Sequence, residues 1–460
     1  NLQNELLINY KEESKFVGYD KLGLETEVLA IMKDNNFVDT CSEDCYIFLK
    51  ENPFYAESGG QVSDSGYLKN DKCKLEVTNV IKAPNGQHLL EVKVLEGTIN
   101  KGDKILTHVS KEKRLAIMKN HSAAHLLQKS LQELLGDAVH QAGSKVDEES
   151  LRFDFTYQGK LSDELILKVE NLVNDKIQAG YETNIEYMNI KEAKEKGAMA
   201  LFSDKYGSNV RVVTMGPSIE LCAGTHVSNT KDINKFAIAI VENKGADTYR
   251  IIGATDTNIP KVLEEEIKKY NDEMIKLLDK AKKIINAAKE LDIELNFNFN
   301  INNDIPTSYR DIVINKNELE TLRESLKKLE KDFTTKKSEK SVSDLSSFLE
   351  IKEEINGITT IITITNGYDI ASLKQIASAL SNQIGDNNFV LLANVNENNS
   401  VNYIAKATSN RINCGEIVKD LSVRSGGNGG GNKSFAQGGG TDATIVSKIL
   451  MNVKEQINTL

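Results

Sequence analysis

The segment Lys113–Gly136, which reads KRLAIMKNHSAAHLLQKSLQELLG, decides what kind of fold this chain adopts. Its apolar side chains recur every three or four residues, the period of one helix face, and a glycine ends the run. The apolar positions are Leu115, Met118, Ala123, Leu127, Leu131 and Leu134. The pattern predicts an amphipathic helix, and His121 and His125, four residues apart, would project from one face of it.

Strand patterns flank this helix on both sides. Residues 16–110 consist of short Val, Ile and Leu runs interrupted by Gly, Asn and Asp, which is typical of β-strands. Beyond the helix, the pattern predicts a strand, an amphipathic helix and two further strand segments, at Leu151–Phe155, Ser162–Gly180, Arg211–Leu221 and Phe236–Ile252. Helices and strands in this order predict an α+β core.

A heptad pattern begins after the core. Apolar residues between Leu263 and Leu291 alternate spacings of four and three, and a second seam runs from Leu319 to Phe333. An Asn-rich stretch, residues 296–303, separates the two seams. We interpret them as two long helices packed antiparallel, with a loop at the tip. A solvated helical spacer and a parallel coiled coil between two chains are the alternatives.

A last α/β unit is predicted after about Leu345. The pattern indicates strands and helices, then a Gly-rich loop and a closing helix from Asp442; the predicted elements are Thr359–Thr365, Ile370–Ile384, Phe389–Val395 and Arg411–Ser422. Eight glycines lie between Gly426 and Gly440, so the backbone there could approach a ligand or RNA closely. The stretch does not match a phosphate-binding P-loop, since Lys433 follows an asparagine.

Composition restricts the class of protein. A chain of 460 residues with 27% charged residues is expected to form two to four soluble domains, and no stretch is long and apolar enough to span a bilayer. Five scattered cysteines favour a reducing cytoplasm over a disulfide framework. The net charge of -10 argues against nonspecific nucleic-acid binding, although residues 101–119 and 401–435 are locally basic. The chain begins at Asn1 and not at Met, so we expect a trimmed or partial polypeptide.

Two spacings indicate a metal site. His121 and His125 form one His-x3-His pair, and Cys222 and His226 form a Cys-x3-His pair. Thiolate and imidazole are the ligands that tetrahedral zinc prefers. The alternative is a set of packed core histidines beside a buried thiol. Spacing alone leaves open whether the zinc would be structural or catalytic, because four protein ligands close its coordination sphere and three leave a place for water. Cys41 and Cys45 have no such partner nearby, and we take them as unrelated to metal.

These ligand motifs belong to a longer series that resembles the alanyl-tRNA synthetase family. The series comprises Pro53–Gln61 (PFYAESGGQ), His121–His125 (HSAAH), Leu151–Phe155 (LRFDF), Gly197–Phe202 (GAMALF), Glu220–His226 (ELCAGTH), and the C-terminal GGNGGG and FAQGGG blocks. The resemblance covers essentially the whole chain in the family's order. It implies residues 1–110 as linker and β-barrel, 111–256 as a zinc-containing editing domain of two α/β layers, 257–344 as the helical hairpin, and 345–460 as a Gly-rich tRNA-binding domain. The family's charging domain is expected to be absent, although the full-length enzyme joins alanine to tRNA(Ala) with ATP.

The resemblance also implies an activity, zinc-dependent hydrolysis of mischarged Ser-tRNA(Ala) and Gly-tRNA(Ala). His121, His125, Cys222 and His226 would hold Zn2+. Gln141 and Asp154 are the catalytic candidates, with Glu57 a further possible base. The implied substrate-binding residues are Ala124, Gln141, Arg152, Gly224 and Thr225, and the implied tRNA-binding residues are Gly429, Gly430, Gly431, Lys433 and Gln437. The C-terminal domain would also form a homodimer.

Two alternatives to an editing part remain. One is a stand-alone editing protein that acts in trans, and the other is a zinc-stapled RNA-binding module without turnover. Two departures from the family pattern bear on activity. The family usually has Thr where this chain has Ala124, and the loss of that hydroxyl affects recognition of a seryl hydroxyl. The family usually has Gly where this chain has Ala223, and we expect this change to be tolerated.

Overall fold

The computed structural model of the chain describes residues 2–199, 207–343 and 345–460. Its fold is α+β, with ten α-helices and a closed antiparallel barrel of six strands among the described residues. The chain divides into two compact units. The first contains residues 1–273 and 301–319, and the second contains residues 274–300 and 320–460.

The N-terminal part of the first unit is the barrel. Helix α1 precedes eleven strands, with bounds α1 Leu2–Ile8, β1 Lys15–Phe16, β2 Glu25–Lys33, β3 Asn36–Val38, β4 Thr40–Cys41, β5 Cys45–Leu49, β6 Glu51–Asn52, β7 Gly66–Lys69, β8 Cys73–Lys82, β9 His88–Gly97, β10 Ile99–Asn100 and β11 Lys104–Val109. The barrel order is β11-β7-β8-β9-β5-β2, and β2 closes it by pairing with β11. Strand β11 alternates exposed and buried residues, so one face of each such strand fills the interior.

The rest of the first unit is built around α2, the helix predicted at Lys113–Gly136. The elements are α2 Lys111–Leu135, β12 His140–Val146, β13 Leu151–Thr156, α3 Asp163–Ala179, β14 Thr183–Met188, α4 Ile190–Glu195, β15 Val210–Met215, β16 Ser218–Leu221, β17 Phe236–Asn243 and β18 Thr248–Thr255. Ser110 caps α2 by accepting from the Lys113 amide, and Gly136 ends it at φ 95°. Two of the predicted apolar positions, Leu115 and Leu134, are exposed, so the buried face is narrower than predicted.

Two antiparallel sheets accompany α2. The first has the order β12-β13-β18-β17, and α2 and α3 pack on it. The second has the order β14-β15-β16. The barrel is joined to the first sheet through a backbone bridge between Gln61 and Val146. Consequently, the segment that ends at Gln61 lies beside β12.

The prediction that the two long helices pack antiparallel is wrong. Helices α5 Ile259–Glu290 and α6 Tyr309–Ser343 run parallel. In the first unit, Ile267 of α5 and Ile312 of α6 share one hydrophobic core near both N-terminal ends. In the second unit, Lys340 near the end of α6 donates to the carbonyl of Leu291, directly after α5.

The connection between the helices explains the difference. Helix α5 has 32 residues and is therefore about 48 Å long at ~1.5 Å per residue. Residues 291–308, if extended, reach about 60 Å, which is enough to return along the whole helix. Leu295 and Phe297 of this segment pack on the cluster that contains Ala281 and Leu326. Leu295 and Phe297 thus pack beside the helices and do not form a tip loop.

The C-terminal part of the second unit is an α/β sheet with helices on both faces. Its elements are α7 Ser346–Glu350, β19 Glu353–Ile355, β20 Ile358–Asn366, α8 Ile370–Gln383, β21 Asn388–Val395, β22 Val401–Ala407, α9 Cys414–Arg424, β23 Gly429–Gly431, β24 Phe435–Gly440 and α10 Val446–Asn458. The strand order is β19-β20-β21-β22-β24-β23, with β20 and β21 parallel. Alternate residues of β21 enter the two hydrophobic cores, Phe389 on one face and Val390 on the other.

The Gly-rich stretch is a β-hairpin and not the predicted loop, since β23 and β24 pair along their length. Its glycines allow α9 to lie close to the strands. A Cβ on Gly438 would be 2.2 Å from Ser422 Oγ of α9, and one on Gly429 would be 2.5 Å from the same atom. A Cβ on Gly430 would meet nothing within 4 Å, so this position is not required by packing. No helix among the described residues is long and apolar enough to cross a membrane.

Candidate metal centre

Helix α2 and the loop after β16 bring four ligand side chains together. His121 and His125 lie one turn apart on α2, and Cys222 and His226 come from the loop. One ligand atom from each of the four lies within 4.8 Å of all the others. Cys222 Sγ is 3.4 Å from the Nε2 atoms of both His121 and His226. The two spacings read from the sequence therefore form a single cluster.

The geometry and chemistry of this cluster fit a tetrahedral metal ion. With bonds of about 2.0–2.1 Å to nitrogen and 2.3 Å to sulfur, tetrahedral zinc separates an N and an S ligand by about 3.6 Å. Burial lowers the pKa of His121 to about 4, and a smaller contribution comes from Arg211. The pKa values of His125 and His226 are also lowered, mainly by burial. The imidazoles are therefore neutral near pH 7, as ligation requires.

Hydrogen bonds orient two of the imidazoles. His121 Nδ1 lies 2.7 Å from Gln61 Oε1, and His226 Nδ1 lies 3.0 Å from Ser122 Oγ. In each ring the other nitrogen, Nε2, faces Cys222. Metal-binding histidines commonly use their second nitrogen in this way. His125 differs, because its Nδ1 is buried without a hydrogen-bond partner among the described residues, and its Nε2 lies 3.3 Å from Glu220 Oε2.

The loop that carries Cys222 and His226 is held by Arg211 and by a glycine. Arg211 Nη1 donates to the carbonyls of Cys222 and Gly224, at 2.9 and 2.8 Å. A Cβ on Gly224 would lie 2.1 Å from His121 Cε1, so a larger residue would displace the imidazole. The Tyr19 ring covers the Arg211 guanidinium at 4.0 Å. The backbone of this loop is thus fixed from two sides.

The cluster forms part of the wall of a cavity of about 850 Å³. His121, His125 and Cys222 line it. Its polar wall also includes Gln141 and Glu220. Burial raises the pKa of Glu220 to about 8, and its Oε1 has no hydrogen-bond partner among the residues described. A cavity of this size, with a few converging polar groups, is typical of a ligand-binding site.

Aromatic side chains stand at the rim of the cavity. Tyr19 and Tyr187 line it and are 41% and 60% exposed, whereas Tyr55 is buried. Lys82 also lines it and is exposed. The rim therefore offers two accessible rings and one cation to whatever enters.

The structure brings some predicted substrate-binding residues to the cavity and not others. Ala124, Gln141 and Gly224 line it. Thr225 is buried behind it, where its amide and hydroxyl bond to Gln61. Arg152 lies outside the described lining.

The two predicted carboxylate bases also lie outside the described lining of the cavity. Asp154 pairs with Arg250 at 2.9 Å, and Arg152 approaches it at 3.7 Å. Glu57 is exposed. The assignment of Asp154 or Glu57 as a base stays a prediction. In the predicted motif Gly197–Phe202, residues 200–202 lie outside the described part of the chain.

The five predicted tRNA-binding residues share the C-terminal hairpin. Gly429, Gly430 and Gly431 form β23, Gln437 of β24 pairs with Gly430, and Lys433 is exposed in the turn between the strands. They are therefore close together in space.

Two residues of the metal centre were missed as site residues by the sequence analysis, although both lie in the motifs quoted there. Gln61 ends the barrel motif, and Glu220 begins the Glu220–His226 motif. The signal available for Glu220 was its position near the end of a predicted strand, two residues before the ligand Cys222. Gln61 is 60 residues from His121, and no local pattern connects the two.

Comparison with known proteins identifies the family. The whole chain aligns with alanine–tRNA ligase of Staphylococcus saprophyticus at 35% identity and with that of Staphylococcus aureus at 36%. The chain belongs to the alanine–tRNA ligase family. It spans 49% of the length of these relatives.

Family models match three segments. Residues 1–113 match the model for tRNA synthetases class II (A), a stretch for which the sequence predicted only linker and barrel. Residues 210–252 match the threonyl and alanyl tRNA synthetase second additional domain, and residues 356–459 match the DHHA1 domain. Among solved structures, the C-Ala domain of Aquifex aeolicus alanyl-tRNA synthetase matches with a TM-score of 0.22 and 21% identity, over 23% of this chain and 97% of that one.

Proposed function

We propose that the first unit hydrolyses the ester of tRNA(Ala) mischarged with serine or glycine, with zinc held by His121, His125, Cys222 and His226. The observation that carries the proposal is the position of this His3Cys cluster in the wall of the cavity, where a substrate group can reach it. Family membership supports the substrate, since a matched model is shared by threonyl and alanyl synthetases. A zinc ion in this site would supply Lewis-acid polarisation of the ester or of the attacking water.

The need for such a reaction follows from the size of alanine. A pocket for alanine gains only about 1–3 kcal/mol from one methyl group against glycine, and it rejects an added hydroxyl poorly, so a second site must remove the errors. Gln141, which lines the cavity, would donate to or accept from the aminoacyl group. Ala124 presents only a methyl beside His125. Glu220 is a further polar group of the wall, with one carboxylate oxygen unbonded among the described residues.

The rim fits the end of a tRNA. Exposed aromatic rings stack on unpaired bases, and each such contact contributes about 1–3 kcal/mol. We propose that Tyr187, with Tyr19 beside it, receives the terminal base, and that Lys82 lies near the backbone phosphate. The terminal base and the backbone phosphate of the tRNA would then both be bound before the ester is hydrolysed.

The second unit is proposed to supply affinity for tRNA(Ala) through the hairpin at Gly429–Gly431, Lys433 and Gln437. Its support is the open backbone at Gly430 and the local excess of basic residues. We also propose that this domain forms the contact of a homodimer. The proposed location of the protein is the cytoplasm. We propose that this chain is part of a longer enzyme, which also joins alanine to tRNA(Ala) with ATP.

A deacylation assay tests the proposal. The full chain is incubated with seryl-, glycyl- and alanyl-tRNA(Ala), and Cys222→Ala serves as the matched variant without a thiolate ligand. We expect the parent to release serine and glycine faster than alanine, and Cys222→Ala to lose both zinc and turnover. Zinc binding without hydrolysis in the parent would instead indicate a zinc-stapled RNA-binding module.

A further inference from the structure

Gln61 is a barrel residue whose side chain ends at the metal-ligand cluster. It is fully buried, and its carboxamide makes three short contacts. Its Oε1 lies 2.7 Å from His121 Nδ1 and 2.9 Å from the amide nitrogen of Thr225, and its Nε2 donates to Thr225 Oγ1 at 2.8 Å. Gln61 therefore connects a ligand on α2 with the loop that carries the other two ligands.

The Thr225 amide determines the direction of the hydrogen bond to His121. A backbone N–H can only donate, so the Gln61 atom that it contacts must be the carbonyl oxygen. Because a carbonyl oxygen only accepts, His121 Nδ1 must carry the hydrogen. The other nitrogen, Nε2, then has the free lone pair, and it is the atom that lies 3.4 Å from Cys222 Sγ. The contact thus selects the tautomer that can bind a metal through Nε2.

The backbone around Gln61 is fixed by the edge of the first sheet. The Val62 amide donates to the Val146 carbonyl at 3.0 Å, and the Val146 amide donates to the Gly60 carbonyl at 2.7 Å. Ser58 and Gln61 exchange two backbone hydrogen bonds, at 3.0 and 3.2 Å. A Cβ on Gly60 would lie 2.6 Å from the Ser144 carbonyl oxygen, so only glycine permits this approach. The side chain therefore leaves from a rigid position.

We propose that Gln61 is a positioning residue of the metal centre, which holds His121 in its metal-binding tautomer and ties the Cys222–His226 loop to the barrel through Thr225. The barrel thus completes the metal site. Residues 111–256, which hold all four ligands, lack this support when separated from it. Loss of a hydrogen-bond partner behind a metal-binding histidine weakens metal binding by about 10–100-fold. The inference rests on the proposed metal site, and it concerns metal affinity independently of turnover.

The test measures the zinc dissociation constant of the full chain by competition with a chromophoric chelator. Gln61→Met keeps the length of the side chain and removes the acceptor, so we expect zinc affinity to fall at least tenfold. Gln61→Glu keeps an oxygen for both His121 and Thr225, and we expect affinity within threefold of the parent. Gln87→Met is the matched control, because Gln87 is a barrel glutamine that bonds to residues 12 and 14 instead. Its zinc affinity should equal that of the parent.

Cobalt substitution and a melting curve keep the test decisive. In a folded Gln61→Met variant, the visible spectrum of bound Co2+ should shift, since one imidazole is no longer held. Parent-like zinc affinity in Gln61→Met, or an equal loss in Gln61→Glu and Gln61→Met, would overturn the inference. If the melting temperatures of Gln61→Met and Gln87→Met change by similar amounts, and zinc affinity falls only in Gln61→Met, the inference is supported. A parent chain that binds no zinc refutes the metal site itself, which is a different result.

Discussion

The ion pair between Asp64 and Arg114 offers a quantitative test of how the barrel is attached to α2. Removing the carboxylate by Asp64→Ala leaves the Arg114 guanidinium without its charged partner. The side chains are 1% and 3% exposed. Arg114 Nε contacts the two Asp64 oxygens at 3.0 and 3.1 Å, and Nη2 contacts Asp64 as well. Asp64 also accepts from the Tyr55 amide at 2.9 Å, so that bond is lost too.

The expected cost is large because water cannot reach the stranded charge. Removal of one partner of a buried pair destabilises proteins by about 3–5 kcal/mol. For a unit of this size, each kcal/mol lowers the melting temperature by about 2–4 °C, so the transition of the first unit should fall by roughly 6–20 °C. Replacing both partners, by Asp64→Leu with Arg114→Met, removes the charges together and should restore most of the loss.

Scanning calorimetry of the full chain measures the effect, with Glu149→Ala as the control. Glu149 pairs with Lys261 at 2.8 Å, but these side chains are 57% and 55% exposed. An exposed pair of this kind contributes about 0–1 kcal/mol. If Asp64→Ala and Glu149→Ala lower the transition equally, burial is not what gives the Asp64–Arg114 pair its strength, and the reasoning fails.

Three further predictions concern the site and its support. Ala124→Thr adds a hydroxyl beside His125 that can form a hydrogen bond to a seryl ester. Because such a bond contributes about 0.5–1.5 kcal/mol, the ratio of serine to alanine release should rise several-fold while the ratio of glycine to alanine release stays constant. If both ratios change together, the hydroxyl is not recognised. Tyr187→Ala should raise KM about 5–150-fold with kcat and zinc content unchanged, whereas Tyr187→Phe should behave like the parent, since the ring does the stacking. Burial raises the pKa of Glu170 to about 7, so the folded state binds this proton more tightly than the unfolded chain does. Proton binding therefore stabilises the folded state fully below pH ~4.5, and this contribution is lost as the pH rises through 7. Glu170→Gln should therefore flatten that part of the stability-versus-pH curve, by up to roughly 3 kcal/mol, and an unchanged curve in denaturation midpoints would refute the assignment.

The sequence alone was sufficient for features that depend on local periodicity. Helix α2 and the shared face of His121 and His125 follow from a 3.6-residue repeat, and the cap residues Ser162 and Gly180 mark both ends of α3. The pairing of the two ligand motifs was also available, because their residue types and spacings suit one metal. Chain order and family resemblance supplied an expected order of domains, which stays a prediction.

Tertiary structure decided the direction of the helical pair and the form of the Gly-rich stretch. A heptad seam specifies which face is buried, but it is the same for parallel and antiparallel partners. The parallel direction is visible only in the contacts of the folded chain, where Ile267 shares a core with Ile312 in the first unit and Lys340 donates to the Leu291 carbonyl in the second. Likewise, glycines are compatible with a loop or a strand. The pairing of β23 with β24 makes the stretch a hairpin, and the close approach of Ser422 explains why Gly429 and Gly438 carry no side chain.

Tertiary structure also decided which polar residues belong to the site. Asp154 and Glu220 are both carboxylates in quoted motifs, yet one pairs with Arg250 and the other faces the cavity. Gln61 reaches His121 across 60 residues of sequence because the barrel edge bridges to β12. Ligands on one helix turn are determined locally. The groups that orient them come from wherever the chain folds back, and that depends on packing between elements, which no spacing records.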